Sequence, residues 1–193
     1  IKEGLDYANE RLAVERGEAP DAKGYKKRFS HMRAIAPNAS SSIIMGNTSP
    51  SVEPFRANAY RQDTLSGSYM NKNKYLNTLL EQKCKENETL DIDRMWSSII
   101  SNDGSVQHLK SLNDYEKDVF KTSLEIDQRW LIEHAADRQE YIDQAQSINL
   151  FFRPNADIKY LHAVHYLAWK KNLKTLYYCR SEKISKADKV SKK

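Results

Sequence analysis

Residues 147–180 follow the order strand, helix, strand, and this order constrains the possible folds more than any other feature of the chain. Residues 147–152 are apolar and are followed by Pro154, which is typical of a short β-strand. Residues 157–171 place apolar side chains at helical spacing, and residues 175–180 are again strand-like. Two strands of one sheet joined by a helix are parallel, with a right-handed connection. The sequence therefore predicts an α/β fold.

The remainder of the chain predicts mainly helices with few strands. Apolar residues recur at helical spacing in three segments, residues 1–16, 73–84 and 92–100. Asn113 and Glu116 have the spacing of a capping box, which predicts a long helix from there to about residue 137. Residues 48–68 contain two prolines and several turn formers, and they predict irregular structure. A stretch of that length without regular structure is typical of a site or an interface.

The composition limits the class of protein. With 193 residues the chain is about one domain long, and at 39% hydrophobic and 30% charged residues it predicts only a modest core. It contains neither an apolar run of about 20 residues nor a signal-peptide pattern at its start. Cys84 and Cys179 are far apart and lack metal-ligand or redox spacing. They predict reduced, buried thiols and a cytoplasmic protein without a membrane partner.

Part of the net charge of +5 comes from a lysine-rich end, residues 182–193. Such a segment could contact nucleic acid or a membrane surface, but a flexible, solvated tail is the interpretation we favour. The chain shows no alternation of basic and aromatic residues, so it gives no support for nucleic-acid binding.

A run of small and hydroxyl residues follows Ala36, namely Pro37, Asn38, Ala39, Ser40 and Ser41. These residues offer backbone amides and hydroxyls with little side-chain bulk, and consecutive amides at a turn or helix start suit phosphate oxygens. The simpler alternative is a Ser-rich N-cap that opens an ordinary helix. The sequence does not decide whether the following residues 43–45 form a short strand or the start of a helix.

Tyr177 and Tyr178 are adjacent in the last predicted strand. Neighbouring strand residues point to opposite faces, so one interpretation is a buried ring and an exposed ring. His162 and His165 lie one helical turn apart without a carboxylate or cysteine at ligand spacing, and we predict no metal site.

These motifs occur in a fixed order with residues 51–58, 64–67, 142–150 and 173–178, and together they resemble the C-terminal part of the large (catalytic, α) subunit of aerobic class I ribonucleotide reductase. The resemblance extends from about residue 15 to 181. It implies part of a ten-stranded α/β barrel, mostly helical with a few short strands and incomplete on its own. Residues 1–181 would then form the barrel portion and residues 182–193 the tail.

The resemblance also implies roles for residues and partners. Pro37, Asn38, Ala39, Ser40 and Ser41 would bind the diphosphate of a ribonucleoside diphosphate. Tyr177 and Tyr178 would carry a radical from the small subunit, which holds the radical cofactor, so this chain itself would bind no cofactor. The upstream portion of the large subunit would supply the active-site cysteines, and thioredoxin or glutaredoxin would reduce the full enzyme.

Three departures from the family accompany these expectations. Asn38 occupies a position that is usually Thr or Ser, the loop contains no Lys or Arg, and neither cysteine matches a redox position. The isolated chain is therefore expected to be inactive. The alternative function is a non-enzymatic helical adaptor that binds acidic partners through its basic tail, with binding that falls steeply with salt.

Overall fold

The computed structural model describes residues 1–45, 49, 51–64 and 67–181. In chain order its elements are α1 (Lys2–Arg16), a 3₁₀ turn (Pro20–Ala22), α2 (Ala39–Ile44), β1 (Ala59–Thr64), β2 (Gly67–Lys72), α3 (Lys74–Glu86), α4 (Ile92–Ser101), α5 (Asp114–Val119), α6 (Gln128–Gln139), β3 (Asn149–Phe152), α7 (Ile158–Lys170) and β4 (Tyr178–Ser181). None of the described helices combines the length and the apolar composition that crossing a membrane requires.

The chain divides into two compact units. The first contains residues 1–39 and the residues from 128 onward, and the second contains residues 40–127. The first unit is therefore built from two separate parts of the sequence, whereas the second is continuous.

The first unit contains the predicted strand–helix–strand motif. β3 and β4 are parallel, in a register that pairs Asn149 with Tyr178 and Phe152 with Ser181, and α7 connects them. The prediction of a parallel pair is confirmed. Ile35 forms a further parallel bridge with Gln146, just before β3. Residues from both parts of this unit thus pair with one extended segment.

Two buried glutamines join α6 to that segment. The Gln128 side chain accepts a hydrogen bond from the Phe151 amide at 2.8 Å. The Gln146 side chain donates to the Ala135 carbonyl at 2.7 Å and accepts from the Arg138 guanidinium at 3.1 Å. Because both glutamines are almost fully buried, these bonds fix the position of the strand against the helix.

The second unit packs an antiparallel hairpin and helices around its own core. β1 pairs with β2 from Ala59 opposite Lys72 to Thr64 opposite Gly67. The core contains aliphatic side chains around one tryptophan: Ala59, Leu76, Leu80, Met95, Trp96, Ile99, Val106, Leu109 and Leu112. The prediction that residues 48–68 are irregular is wrong for residues 59–64 and 67–68, which lie in β1 and β2. Both prolines of that stretch precede β1, and its cross-strand pairing overrides a polar local sequence.

The predicted helix from residue 114 to 137 is also wrong, because it is two helices. α5 ends at Val119 and α6 begins at Gln128. Between them the Glu125 carboxylate accepts hydrogen bonds from the amide and hydroxyl of Thr122, at 2.8 and 3.0 Å, and from the Ser105 hydroxyl. The Ser123 amide donates to the Phe55 carbonyl at 2.9 Å. These bonds replace helical ones, so the chain turns there.

Candidate functional site

Tyr178 is the first residue of β4 and Tyr177 directly precedes it, and the two rings are in contact. The Tyr177 amide donates a 2.9 Å hydrogen bond to the Ile148 carbonyl. The two ring centroids are 4.3 Å apart at an interplanar angle of 58°. Tyr177 is 52% exposed and Tyr178 49% exposed, so the interpretation of one buried and one exposed ring is wrong. Because Tyr177 precedes the paired strand, the pleat does not force the two side chains to opposite faces.

The environment of this pair favours the protonated phenol at Tyr177. The pKa of Tyr177 is raised, first by its hydrogen bond with the Tyr178 side chain, then by the charge of that side chain and by burial, while the Arg180 charge opposes the rise. The guanidinium carbon of Arg180 lies 4.7 Å from the centroid of the Tyr178 ring. A phenol and a phenoxyl radical in contact can exchange a hydrogen atom without a change in net charge, because the O–H bond broken on one ring is replaced by the O–H bond formed on the other.

The segment leading into the Ser-rich run is hydrogen-bonded to residues 145–147, and the tyrosine pair is hydrogen-bonded to the next residue of that segment. The Ile35 amide donates to the Ala145 carbonyl at 3.2 Å, and the Ser147 amide donates to the Ile35 carbonyl at 2.8 Å. The next residue of that strand, Ile148, accepts from Tyr177. The structure therefore brings Ile35, two residues before Pro37, and Tyr177 to one extended segment of the first unit.

The Ser-rich run itself opens α2. Pro37 and Asn38 are exposed, and the Asn38 side-chain amide donates to the Ala36 carbonyl at 3.1 Å. The helix begins at Ala39, so Ser40 and Ser41 lie within its first turn and are exposed. The amides of a helix's first turn point outward without intrahelical acceptors and carry partial positive charge. The serines lie inside the helix, so they do not serve as its N-cap.

An ion pair between Arg33 and Asp143, which the sequence did not indicate, holds the segment that precedes the Ser-rich run. Arg33 donates to the two carboxylate oxygens of Asp143 from Nη2 at 3.0 Å and from Nε at 3.2 Å, and its Nη2 also lies 3.1 Å from Asp6. The hydrogen bond with Arg33 lowers the pKa of the Asp143 carboxyl, against a smaller opposing effect of burial. Because Arg33 and Asp143 are 110 residues apart, no local sequence pattern indicates that they pair.

The histidines and cysteines have other surroundings. His165 Nδ1 bonds the Leu161 carbonyl at 2.8 Å, and the His162 ring stacks on Tyr166. No group of potential metal ligands occurs in the described ranges. Cys84 is partly buried and Cys179 is exposed, so the prediction of two buried thiols is wrong. Residues 182–193, on which the adaptor hypothesis depends, lie outside the described residues.

Comparisons with known proteins give a consistent result. Residues 19–179 match the family model described as "Ribonucleotide reductase, barrel domain". The chain is 58% identical over 193 residues to the ribonucleoside-diphosphate reductase large subunit of Invertebrate iridescent virus 6, covering 99% of this chain and 20% of that protein. The large subunit of Invertebrate iridescent virus 3 is 57% identical over 190 residues, covering 98% of this chain and 30% of that protein.

A solved structure, the alpha subunit of the Actinobacillus ureae class Id ribonucleotide reductase, superimposes with a TM-score of 0.78 at 42% identity. The match covers 94% of this chain and 32% of that chain. The chain thus spans about a fifth to a third of the length of these relatives.

Proposed function

The chain belongs to the ribonucleotide reductase barrel-domain family, and from this premise we propose that it is the C-terminal part of the large subunit of a ribonucleoside-diphosphate reductase. Its fold is α/β and related to the family's barrel. In the described residues the strands form two separate pairs, which is consistent with an incomplete barrel. In our proposal the upstream portion of the subunit supplies the other strands of a ten-stranded barrel.

The proposed activity is the radical reduction of ribonucleotides to 2′-deoxyribonucleotides in the cytoplasm. This chain contributes the tyrosine pair and the diphosphate loop, and the upstream portion contributes the active-site cysteines. The small subunit supplies the radical cofactor, and thioredoxin or glutaredoxin supplies reducing equivalents. The observation that carries the proposal is the contact between Tyr177 and Tyr178, with centroids 4.3 Å apart, inside the matched region.

The contact suits one elementary step. If one phenol is a neutral radical, a hydrogen atom passes from the oxygen of the other, so that one O–H bond breaks as the other forms. The electron and the proton move together and no charge is left on either ring. The raised pKa of Tyr177 supports this step, because the phenol retains the proton that it must donate or regain.

Residues Pro37, Asn38, Ala39, Ser40 and Ser41 are proposed to bind the substrate diphosphate. Support comes from the helix that begins at Ala39 and from the exposed serines in its first turn. Because the loop contains no cationic side chain, binding relies on amides, hydroxyls and the helix dipole.

The relay is tested by combining this chain with the upstream portion and the small subunit and measuring reduction of a ribonucleoside diphosphate. Tyr177→Phe and Tyr178→Phe each remove a phenolic O–H while keeping the ring, so each is expected to abolish turnover and leave substrate Kd unchanged. Tyr75→Phe, an exposed tyrosine on α3, is the matched control and should retain activity. Normal turnover by either variant of the pair would refute the relay.

The loop is tested in the same mixture by equilibrium binding. The double change Ser40→Ala and Ser41→Ala removes two hydroxyl donors at about 1 kcal/mol each, so we expect Kd for the diphosphate to rise about 10- to 30-fold. Ser97→Ala on the exposed side of α4 is the control. An unchanged Kd in the double variant would show that these hydroxyls do not contact the substrate.

A further inference from the structure

Arg180 lies on the same face of β4 as Tyr178, because residues two apart in a strand share a face. Its guanidinium carbon is 4.7 Å from the centroid of the Tyr178 ring, within the distance of a cation–π contact. Other cation–ring contacts in the described part of the chain, such as Lys72 over Trp96, involve rings outside the candidate site. A fixed positive charge therefore lies against one of the two phenols.

A permanent cation has a definite effect on the oxidation of a phenol. The guanidinium stays protonated at every pH that a protein tolerates. Its positive charge opposes removal of an electron from the adjacent ring when the phenolic proton stays behind, because that step would create a second positive charge beside it. When the proton leaves with the electron, the product is neutral and the opposition disappears.

Building on the proposed function, we propose that Arg180 is a positioning residue for Tyr178 that holds the ring beside Tyr177 and restricts its oxidation to the route in which proton and electron leave together. The exchange is balanced within the pair: Tyr178–OH and the Tyr177 phenoxyl radical give the Tyr178 phenoxyl radical and Tyr177–OH, or the reverse. The oxidant that starts the relay is a radical of the partner small subunit.

A second effect of the same charge agrees with this role. The Arg180 charge lowers the pKa of Tyr177, whereas contact with Tyr178 raises it. The field of the guanidinium therefore extends to both phenols. Since all three side chains lie within four consecutive residues at the start of β4, the strand backbone fixes their spacing.

The test compares Arg180→Gln with Arg180→Lys in the reconstituted enzyme. The Gln variant keeps a planar polar side chain without the charge, and we expect kcat to fall about tenfold with KM unchanged. The Lys variant keeps the charge and is expected to recover most of that loss. Electron paramagnetic resonance should show less tyrosyl radical on this chain in the Gln variant. Arg16→Gln, an exposed arginine at the end of α1, is the control.

The outcomes separate this inference from the proposed function. Normal turnover by Tyr177→Phe or Tyr178→Phe would overturn the relay and the inference with it. If both Phe variants are inactive while Arg180→Gln matches the wild type in kcat and radical yield, only the role of Arg180 is overturned. Equal losses of kcat in Arg180→Lys and Arg180→Gln would overturn the inference that the charge of Arg180 is what acts on Tyr178.

Discussion

Asp143 joins two segments of the first unit that are distant in the sequence. Its carboxylate accepts hydrogen bonds from the Met32 amide, at 3.1 Å, and from the Arg33 side chain. Its backbone carbonyl accepts from the Lys174 ammonium, three residues before Tyr177. One aspartate therefore holds both the segment that leads to the Ser-rich run and the segment that leads to the tyrosine pair.

We expect Asp143→Asn to lower the free energy of unfolding at neutral pH by about 1–3 kcal/mol, because it removes the charge from hydrogen bonds with Arg33. The pKa of Asp143 is lowered in the folded chain by the Arg33 hydrogen bond, against burial. The stabilisation is therefore complete above the carboxyl's ordinary pKa and is lost as the pH falls through the lower, folded value.

Urea unfolding of wild type and variant between neutral and acid pH measures this effect. The difference between the two should narrow toward acid, whereas Glu10→Gln on the surface of α1 should show little difference throughout. A difference that does not depend on pH would mean that Asp143 stabilises the chain by packing alone.

Elements whose signals are local could be predicted from the sequence. Asn113 and Glu116 form the expected capping box, and β3, α7 and β4 follow the predicted order strand, helix, strand. What the sequence did not reveal depends on distant partners. The break between α5 and α6 rests on the bond of Glu125 to Ser105, which no helix propensity encodes.

In the candidate site, too, local sequence signals could be read, whereas contacts between distant residues could not. The order of motifs indicated Tyr177 and Tyr178, since a short sequence pattern carries that information. Their ring contact and the half-exposure of both rings could not be inferred, because strand alternation predicts the opposite. Arg180 could have been found from its spacing of two residues within a strand, and Asp143 could not.

The end of α4 offers a sharp test of backbone conformation. The helix ends at Ser101, and Gly104 shortly after it has a φ of 80°. A Cβ on Gly104 would lie 2.4 Å from the Ala57 Cβ and 2.9 Å from the Asn58 amide nitrogen. Its carbonyl also accepts hydrogen bonds from the backbone and the side chain of Asn58.

We expect Gly104→Ala to destabilise the second unit by about 3 kcal/mol or more, since left-handed strain adds to a backbone clash. Gly17→Ala is the matched control, because Gly17 has a φ of 81° and nothing within 4 Å of an added Cβ. Thermal unfolding should show a loss of only about 1–2 kcal/mol for the control. Equal losses of stability at both positions would mean that Ala57 can move away from the added Cβ without destabilising the chain.

The division into two units has a consequence for autonomous folding. The core cluster from Ala59 to Leu112 lies entirely within residues 40–127, which form one continuous unit. We expect the fragment 40–127 to fold cooperatively by itself, because its hydrophobic core cluster is formed entirely by its own residues.

Trp96 is the only tryptophan of that fragment and is buried, so its fluorescence reports the transition. Urea should unfold the fragment in one sigmoidal step, and Leu80→Ala should shift the midpoint by the equivalent of about 2–5 kcal/mol. A gradual change without a midpoint would contradict the autonomy of this unit.

The hydrogen bonds between Arg33 and Asp143 join positions 110 residues apart, and the whole continuous unit is encoded between them. During translation residues 40–127 leave the ribosome before Asp143 is synthesised, so Arg33 has no ion-pair partner at that stage. Once residues 40–127 are folded, less flexible chain separates Arg33 from Asp143. The entropy cost of bringing these two residues together is then smaller. The order of synthesis therefore allows residues 40–127 to fold before Asp143 and the tyrosine pair are available.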